Sequence, residues 1–318
     1  MSKNIAKKIS QFNKGLLDFH THSTHSDGAD NPTELVRKAK ERGVSALALT
    51  DHNIISGLKE FNEACKREGI LAIPFGTEIY GELPSEILSA GENEAPDLIL
   101  LGKNVKINLF KEYEELSVKY KHEVFIPETV QKLEKMGFSI AKFNLEEQSK
   151  MGVPTIFHNF ICDNKNNIEI LIKYIQNIEY KIAKEEIEKN LVVFLNKYVY
   201  RVGGPAYVKR IQNFGVERII EFAEAINARA FIAHPGGRVW GCITKKVLDY
   251  YTEKGIHGIE VRNYFNTNEQ NNWFDRVAKE NKLIRSGGSD YHGNNGMSKI
   301  GMYDSPENQI PKDILEEL

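Results

Sequence analysis

Residues 18–28 read DFHTHSTHSDG and place three histidines and two aspartates within eleven positions. They begin at the end of a short apolar run, GLLDFH at 15–20. Because side chains alternate along a strand, His20 and His22 would share one face and can bind the same metal ion. Short polar loops also collect His, Ser, Thr and Asp, so the stretch alone leaves both interpretations open.

The composition indicates a globular protein without a general affinity for nucleic acid or membranes. The chain has 318 residues, long enough for a single barrel plus an insertion, and a formal net charge of -2. Cys65, Cys162 and Cys242 form no C-x-x-C pair, which favours a reducing compartment over a disulfide framework. No apolar stretch has the length of a signal peptide or of a membrane span of ~20 residues. We therefore expect a cytoplasmic protein.

Short apolar runs rich in β-branched residues alternate with helical patterns, which is typical of βαβ units and a parallel sheet. One helix is predicted at 31–43, where Asn31 would be the cap and Pro32 would lie in the first turn. This alternation predicts the α/β class. The seven runs are at 15–20, 44–50, 70–76, 97–102, 229–234, 255–261 and 282–288.

Residues 103–202 interrupt this alternation and read as helices. The mixed charges of KIAKEEIEKN at 181–190 recur at helical spacing, which indicates a solvent-exposed helix face rather than a binding patch. We therefore predict a helical insertion at 103–202 in a barrel domain made of residues 1–102 and 203–318.

Six of the seven apolar runs end at, or lead into, a residue that can bind a metal ion. The exception is DLILLG at 97–102. The carboxyl ends of parallel strands gather at one edge, so these residues are expected to form one site. Imidazoles and carboxylates without a thiolate suit Mn²⁺, Fe²⁺ or Zn²⁺. The predicted ligands are His20, His22, Asp27, His52, Glu78, His234, Asp290 and His292.

These ligands are too many for one ion, so we predict a cluster of two or three divalent ions in which Glu78 can bridge. Such clusters generate hydroxide near neutral pH and hold the attacking and leaving oxygens of a phosphoryl displacement. Glu260 can orient the ligands, and direct ligation by it is the alternative. Asp51 is adjacent to His52, and its side chain is expected to point to the opposite side of the backbone. A supporting role is therefore expected for it.

The motifs DFHTHSTHSDG, ALTDHN, IPFGTEI, IAHPGG and GGSDYHG, in this order, resemble the polymerase and histidinol phosphatase (PHP) superfamily of metal-dependent phosphoesterases. The resemblance implies a distorted (β/α)₇ barrel with an inserted helical subdomain over its mouth. GVPTIFHNF at 152–160 and YRVGGPAYVKR at 200–210 resemble the bacterial branch of that superfamily. Its members hydrolyse nucleoside 3′,5′-bisphosphates and remove 5′ nucleotides from short RNA.

The same resemblance implies three ion sites. The first would use His20, His22, Glu78 and Asp290, and the third would use Asp27, His52 and His292. The second would use Glu78, His234 and a histidine that the family places in an H-x-L-G strand end. The matching position here is Ile99, which cannot bind metal. That site is short of a ligand unless water or another side chain such as His158 completes it.

Further residues are candidates for binding a second substrate phosphate, because Arg and Lys are the usual anion clamps. A solvated basic surface is the alternative for the cationic ones, and ordinary packing is the alternative for His158. The candidates are His158, Arg201, Tyr207, Lys209 and Arg238.

The expected activity is hydrolysis of a phosphate ester by a metal-bridging hydroxide, with Asp290 and His234 as candidate catalytic residues. The expected substrate is a small nucleotide carrying two phosphates or the 5′ end of a short RNA or DNA, with no membrane partner. Two alternatives stay open. One is a phosphatase acting on histidinol phosphate or a sugar phosphate, and the other is a metal-binding regulatory module that has lost catalysis.

Overall fold

The structure is a computed structural model, and the chain divides into two compact units. The first contains residues 1–88, 95–114 and 214–318, and the second contains residues 89–94 and 115–213. The residues that the structure describes are 15–84, 86–87, 96–140, 161–162, 164–200, 203–209, 215–237, 242–293, 298–301 and 309–318.

The described residues of the first unit form a mixed α/β fold with two sheets. Three parallel strands form the smaller sheet in the order β1 (Leu16–Asp18), β2 (Val44–Leu47) and β3 (Leu71–Ala72). The larger sheet has the order β4 (Phe75–Ile79), β5 (Leu98–Gly102), β6 (Arg229–Ile232), β7 (Gly258–Asn263) and β8 (Ile284–Gly288). Strands β6, β7 and β8 are parallel to one another, whereas β5 is antiparallel to both β4 and β6.

Isolated bridges join the two sheets at both sides. Thr21 pairs with Tyr291 just beyond the ends of β1 and β8, and His52 pairs with Glu78 of β4. The join between β1 and β8 is extended by a backbone hydrogen bond of 2.9 Å from Asp290 N to His20 O. The ends of β1, β2 and β8 therefore meet β4 at one edge. A closed (β/α)₇ barrel stays a prediction.

Two details of the strand prediction are wrong. The sheet is not parallel throughout, because β5 runs against its neighbours. The apolar run at 70–76 forms two strands, β3 and β4, with Pro74 between them. Proline lacks the backbone donor that a strand interior needs, which explains the break. Hydrophobic alternation carries no information on strand direction, so the orientation of β5 could not be read from it.

Helices follow most strands of the first unit. The cap predicted at Asn31 is confirmed, since its side chain accepts a hydrogen bond from Glu34 N and Glu34 reciprocates at the Asn31 backbone. The helices of this unit are α1 (Pro32–Glu41), α2 (Leu58–Glu68), the first part of α3 (Ile107–Tyr120), α8 (Val216–Ile226), α9 (Lys245–Glu253), α10 (Asn268–Glu280) and α11 (Ile314–Glu317).

A buried apolar cluster lies between the strands of the first unit. Phe19, Ile99 and Phe231 are fully buried in it, and Ile314 of α11 packs against the same cluster. Gly258 on β7 lies so close that a Cβ there would be 2.4 Å from Cδ1 of Phe231. The strands are thus packed tightly beneath the edge where the predicted ligands lie.

The described parts of the second unit are mainly helical. Its own core includes Leu133, Leu171 and Leu195, all fully buried. The helices are the second part of α3, α4 (Ile126–Lys135), α5 (Lys165–Ile178), α6 (Lys184–Lys189) and α7 (Leu191–Leu195), with π-helical turns at Lys121–Phe125 and Asn196–Tyr200. The predicted insertion boundaries at 103 and 202 stay predictions. None of the helices in the described ranges combines a membrane-spanning length with sufficient apolar character.

Replacing Phe231 by Ala is expected to lower the free energy of unfolding by about 3–5 kcal/mol, because it leaves a cavity in a tightly packed cluster. Urea titration followed by circular dichroism measures this change. Leu109→Ala is the control, since Leu109 is 41% exposed and should shift the midpoint far less. Equal effects of the two substitutions would contradict the packing described for Phe231.

Candidate metal centre

The structure brings all eight predicted ligands together at one edge of the first unit. They come from five places in the fold: the segment after β1, the segment after β2, strand β4, the segment after β6 and the segment after β8. They fall into three groups of side chains whose ligand atoms lie within 4.8 Å of one another. The groups are His20, His22, Glu78 and Asp290; His22, Asp27, His52 and His292; and Glu78, Asp97 and His234.

The first group is fully buried and has nearly uniform spacing between its ligand atoms. His20 Nε2 and His22 Nε2 are 3.1 Å apart. Each lies 3.3 Å from Glu78 Oε2 and 3.3 Å from Asp290 Oδ1. Ligands about 2.1 Å from a shared tetrahedral ion lie roughly 3.4 Å apart. Four donor atoms in this arrangement therefore fit one divalent ion.

The second group surrounds Asp27, which is contacted by three imidazoles. Asp27 Oδ1 lies 3.3 Å from His292 Nε2 and 3.6 Å from His22 Nδ1, and Asp27 Oδ2 lies 3.6 Å from His52 Nε2. Burial would raise the pKa of Asp27, but His292 and His52 hold it well below its ordinary value. The Tyr80 ring stacks on His52 at 4.8 Å and restricts its rotation.

The third group shares Glu78 with the first. Glu78 Oε1 lies 3.1 Å from His234 Nε2, while its Oε2 faces His20 and His22. Asp97 Oδ2 lies 4.0 Å from the same His234 nitrogen. A carboxylate whose two oxygens face different groups has the geometry of a bridging ligand.

Several buried ring nitrogens of the centre make no hydrogen bond. His22 Nδ1, His52 Nδ1 and His292 Nε2 face carboxylate oxygens at 3.2–3.6 Å without meeting hydrogen-bond geometry. Buried polar atoms in proteins nearly always have a partner. Imidazole nitrogens in this state, beside ionised carboxylates, fit the donor set of divalent metal ions.

Burial and neighbouring charges shift the pKa values of the centre in opposite directions. Burial alone would lower the pKa of His22, but hydrogen bonding to Asp290 and Glu78 raises it to about 10. At His52 burial dominates, and the pKa falls to about 4. Burial would raise the pKa of Glu78, yet His20 and His52 hold it well below its ordinary value. The carboxylate is thereby kept ionised, as a metal ligand must be.

Glu260 holds two of the ligands in position from behind. Its Oε1 lies 3.1 Å from His20 Nδ1, and its Oε2 accepts hydrogen bonds from His234 N at 2.5 Å and from Asn263 Nδ2 at 2.8 Å. A carboxylate on one ring nitrogen fixes the tautomer and turns the other nitrogen toward the ion. These contacts support the orienting role predicted for Glu260 rather than direct ligation.

Asp51 organises the loop that carries Asp27. It accepts hydrogen bonds from Ser23 N at 2.7 Å, from Ser23 Oγ at 2.7 Å and from Ser26 Oγ at 2.6 Å. These bonds fold residues 23–28 back toward the segment after β2. The supporting role predicted for Asp51 agrees with these contacts.

Two candidate ligands have backbone conformations that non-glycine residues rarely adopt. The φ angles are +29° at His234 and +52° at Asp290. Such strain persists only where surrounding contacts over-determine it, and it concentrates at functional sites. Near His234, Asn266 Oδ1 accepts a hydrogen bond of 3.0 Å from Gly236 N, and Gln270 Nε2 donates to Gly236 O at 3.1 Å. This network holds the turn that follows β6.

Asp97 is the member of these groups that sequence reasoning missed. It precedes β5, the strand whose carboxyl end carries no ligand. Because β5 is antiparallel to β4 and β6, its amino end lies where its neighbours deliver their ligands. The sequence shows an Asp at the start of an apolar run, but recognising that Asp as a candidate ligand required knowing the direction of the strand.

The predicted phosphate-binding residues are not tested by this geometry. His158, Arg201 and Arg238 lie outside the described residues. Tyr207 and Lys209 belong to the second unit, where their backbone carbonyls accept hydrogen bonds from Lys132 Nζ and Tyr120 Oη, respectively. All five assignments stay predictions.

Comparison with known proteins identifies the family. The PHP domain model matches residues 18–200. The chain belongs to the PHP family. It is 28% identical over 286 residues to a 3′,5′-nucleoside bisphosphate phosphatase of Chromobacterium violaceum, an alignment that covers 87% of each chain. It is 27% identical over 287 residues to a 5′-3′ exoribonuclease of Haemophilus influenzae, covering 89% of this chain and 92% of the relative.

Solved structures show the same fold. A protein of Bifidobacterium adolescentis classed as a metal-dependent phosphoesterase matches 95% of this PHP chain and 94% of its own, with a TM-score of 0.66 and 20% identity. An amidohydrolase of Chromobacterium violaceum, solved with bound sulfate and no metal, matches 95% of each chain with a TM-score of 0.62 and 22% identity. The family match and the named relatives show that the chain is a metal-dependent phosphoric ester hydrolase of the PHP family.

Glu260→Gln is expected to weaken metal binding by about 10–100-fold, because the neutral amide no longer fixes the His20 tautomer as strongly. Isothermal titration of the metal-free protein with Mn²⁺ or Zn²⁺ measures the affinity. Glu280→Gln at the exposed end of α10 is the matched control. Unchanged affinity in the Glu260 variant would rule out the orienting role.

Proposed function

We propose that this PHP protein hydrolyses a phosphate ester of a nucleotide, either a nucleoside 3′,5′-bisphosphate or the 5′ end of a short oligonucleotide. The eight predicted ligands would hold two or three divalent ions, with Mn²⁺, Fe²⁺ or Zn²⁺ as the candidates. When bound, such ions lower the pKa of water and neutralise charge that develops on phosphoryl oxygens.

The observation that carries this proposal is the first group of ligands. The group contains two imidazoles and two carboxylates, from His20, His22, Glu78 and Asp290. Each histidine Nε2 lies 3.1–3.3 Å from the other donor atoms of the group. Buried carboxylates at such distances need compensation by positive charge. The donors are nitrogen and oxygen only, as in catalytic rather than Cys-based structural metal sites.

Exposure across the centre supports a direction of substrate approach. The His20 and His22 side chains are fully buried, whereas Asp27, His52 and His292 are each 12% exposed. His234 is 10% exposed on the other side of Glu78. A phosphate group entering from solvent would therefore meet the Asp27 and His234 groups first, with the first group closed to bulk water behind them.

Two residues are proposed to move or hold protons. Asp290 would accept the proton of the attacking water through its carboxylate, and its position is fixed by a hydrogen bond of 2.9 Å from Ser298 Oγ to its backbone carbonyl. His234 would contact the leaving oxygen through its ring. Burial lowers the pKa of His234, but Glu78 outweighs it and raises that pKa, so Nε2 can hold a proton in the absence of metal and releases it when an ion binds there.

The nucleotide substrate is supported by the relatives, whose names specify a nucleoside bisphosphate and an RNA. A second phosphate requires cationic or hydrogen-bonding groups beyond the ions. His158, Arg201, Tyr207, Lys209 and Arg238 are proposed for this contact. The regulatory alternative is disfavoured, because the structure brings all eight predicted ligands together.

The test is orthophosphate release by Mn²⁺-loaded protein from adenosine 3′,5′-bisphosphate, compared with adenosine 5′-monophosphate, a short 5′-phosphorylated RNA, histidinol phosphate and a pentose phosphate. We expect the bisphosphate or the RNA to have the highest kcat/KM. Asp290→Asn should lower turnover by more than about 100-fold, since it removes a ligand and the proposed proton acceptor.

Asp249→Asn is the matched control, because Asp249 lies on the exposed face of α9 and pairs with Lys245. Its turnover should equal that of the wild type. Preference for histidinol phosphate or a pentose phosphate would overturn the nucleotide assignment. Turnover of Asp290→Asn near the wild-type level would overturn the site assignment.

A further inference from the structure

Strand β5 presents its amino end to the metal centre. It pairs antiparallel with β4, which carries Glu78, and with β6, which leads into His234. Asp97 immediately precedes β5, and its carbonyl accepts a hydrogen bond of 2.9 Å from Ala233 N, the residue before His234. Asp97 is therefore held in the ladder between the two elements that supply the other members of its group.

Ile99 faces the apolar cluster below the centre. It is fully buried and packs with Leu101 and Phe231. Because side chains alternate along a strand, Asp97, Ile99 and Leu101 share one face of β5. Asp97 is thus the residue of that face nearest the edge where Glu78 and His234 meet.

The distances at Asp97 fit a shared ion. Its Oδ2 lies 4.0 Å from His234 Nε2, and His234 Nε2 lies 3.1 Å from Glu78 Oε1. Ligand atoms about 2.1 Å from one ion lie between roughly 3.0 Å apart at right angles and 4.2 Å apart on opposite sides. Both separations fall within that range.

We infer that Asp97 supplies the ligand that Ile99 cannot, so that Glu78, Asp97 and His234 bind a divalent ion of their own. This inference deepens the proposed function and rests on it. The set has two carboxylates and one imidazole, whereas a histidine in place of Asp97 would give one carboxylate and two imidazoles. Carboxylate ligands suit Mn²⁺ and imidazole suits Zn²⁺, so Asp97 shifts this site toward Mn²⁺.

The experiment counts bound ions in four proteins: the wild type, Asp97→Ala, Asp97→His and the control Asp249→Ala. Each full-length protein is stripped with chelator, reloaded with Mn²⁺ or Zn²⁺, desalted and measured by elemental analysis, with circular dichroism to verify folding. The Asp97 side chain is 19% exposed and lies outside the fully buried core. Hydrolysis of adenosine 3′,5′-bisphosphate is measured on the same samples.

We expect Asp97→Ala to hold about one ion fewer per chain than the wild type or Asp249→Ala, because a site left with two protein ligands binds weakly. Asp97→His should regain that ion with Zn²⁺ and less completely with Mn²⁺. Equal ion counts in the wild type and Asp97→Ala would overturn the inference, whatever the activity.

The failure of the proposed function would look different. A wild type that binds its ions but hydrolyses no nucleotide would reject the nucleotide assignment. A lower ion count in Asp97→Ala would still support the ligand role in that case. An unfolded Asp97→Ala protein would be replaced by Asp97→Asn, which keeps the side-chain volume and removes the charge.

Discussion

The placement of ionised carboxylates in a buried site is the constraint on which the rest of this structure depends. Glu78 and Asp290 are almost completely buried, and their nearest polar neighbours include His20 and His22. Removing such charges from water costs several kcal/mol per ion unless opposite charge or hydrogen bonds compensate. Imidazoles at 3.1–3.4 Å give part of this compensation, and divalent ions would complete it.

That constraint explains the elaborate support around the ligands. Ion binding requires donor atoms to stay within tenths of an ångström of their positions, and loops alone are too soft for this. Glu260 fixes His20 and the backbone of His234, while Asp51 fixes the loop that carries Asp27. The positive φ of His234 is supported by the hydrogen bond from its backbone N–H to Glu260 and by the contacts of Gly236 with Asn266 and Gln270.

The grouping of the eight candidate residues was easier to predict from the sequence than the direction of every strand. His20 and His22 are separated by one residue, so their side chains point to the same side of an extended strand. This follows from the local period of the strand alone and holds for any register with its neighbours. The direction of β5 depends on which strands flank it, and that is decided by long-range packing. The expectation of a parallel sheet therefore failed at β5, and Asp97 was overlooked for the same reason. The Asn31 cap was predictable because its contacts span three residues.

The position of Asp97 also bears on how substrate reaches the ions. Moving a ligand by two residues along a strand keeps it on the same face but displaces it by roughly 6.7 Å. Here that step leads from Ile99, fully buried in the apolar cluster, to Asp97, whose side chain is 19% exposed. An ion held by Asp97, Glu78 and His234 would lie nearer to solvent than one held from position 99. Such an ion can accept a substrate oxygen without displacing packed side chains. An aspartate at position 97 in place of a histidine at position 99 therefore favours access of substrate to the ion, but it replaces an imidazole ligand by a harder carboxylate.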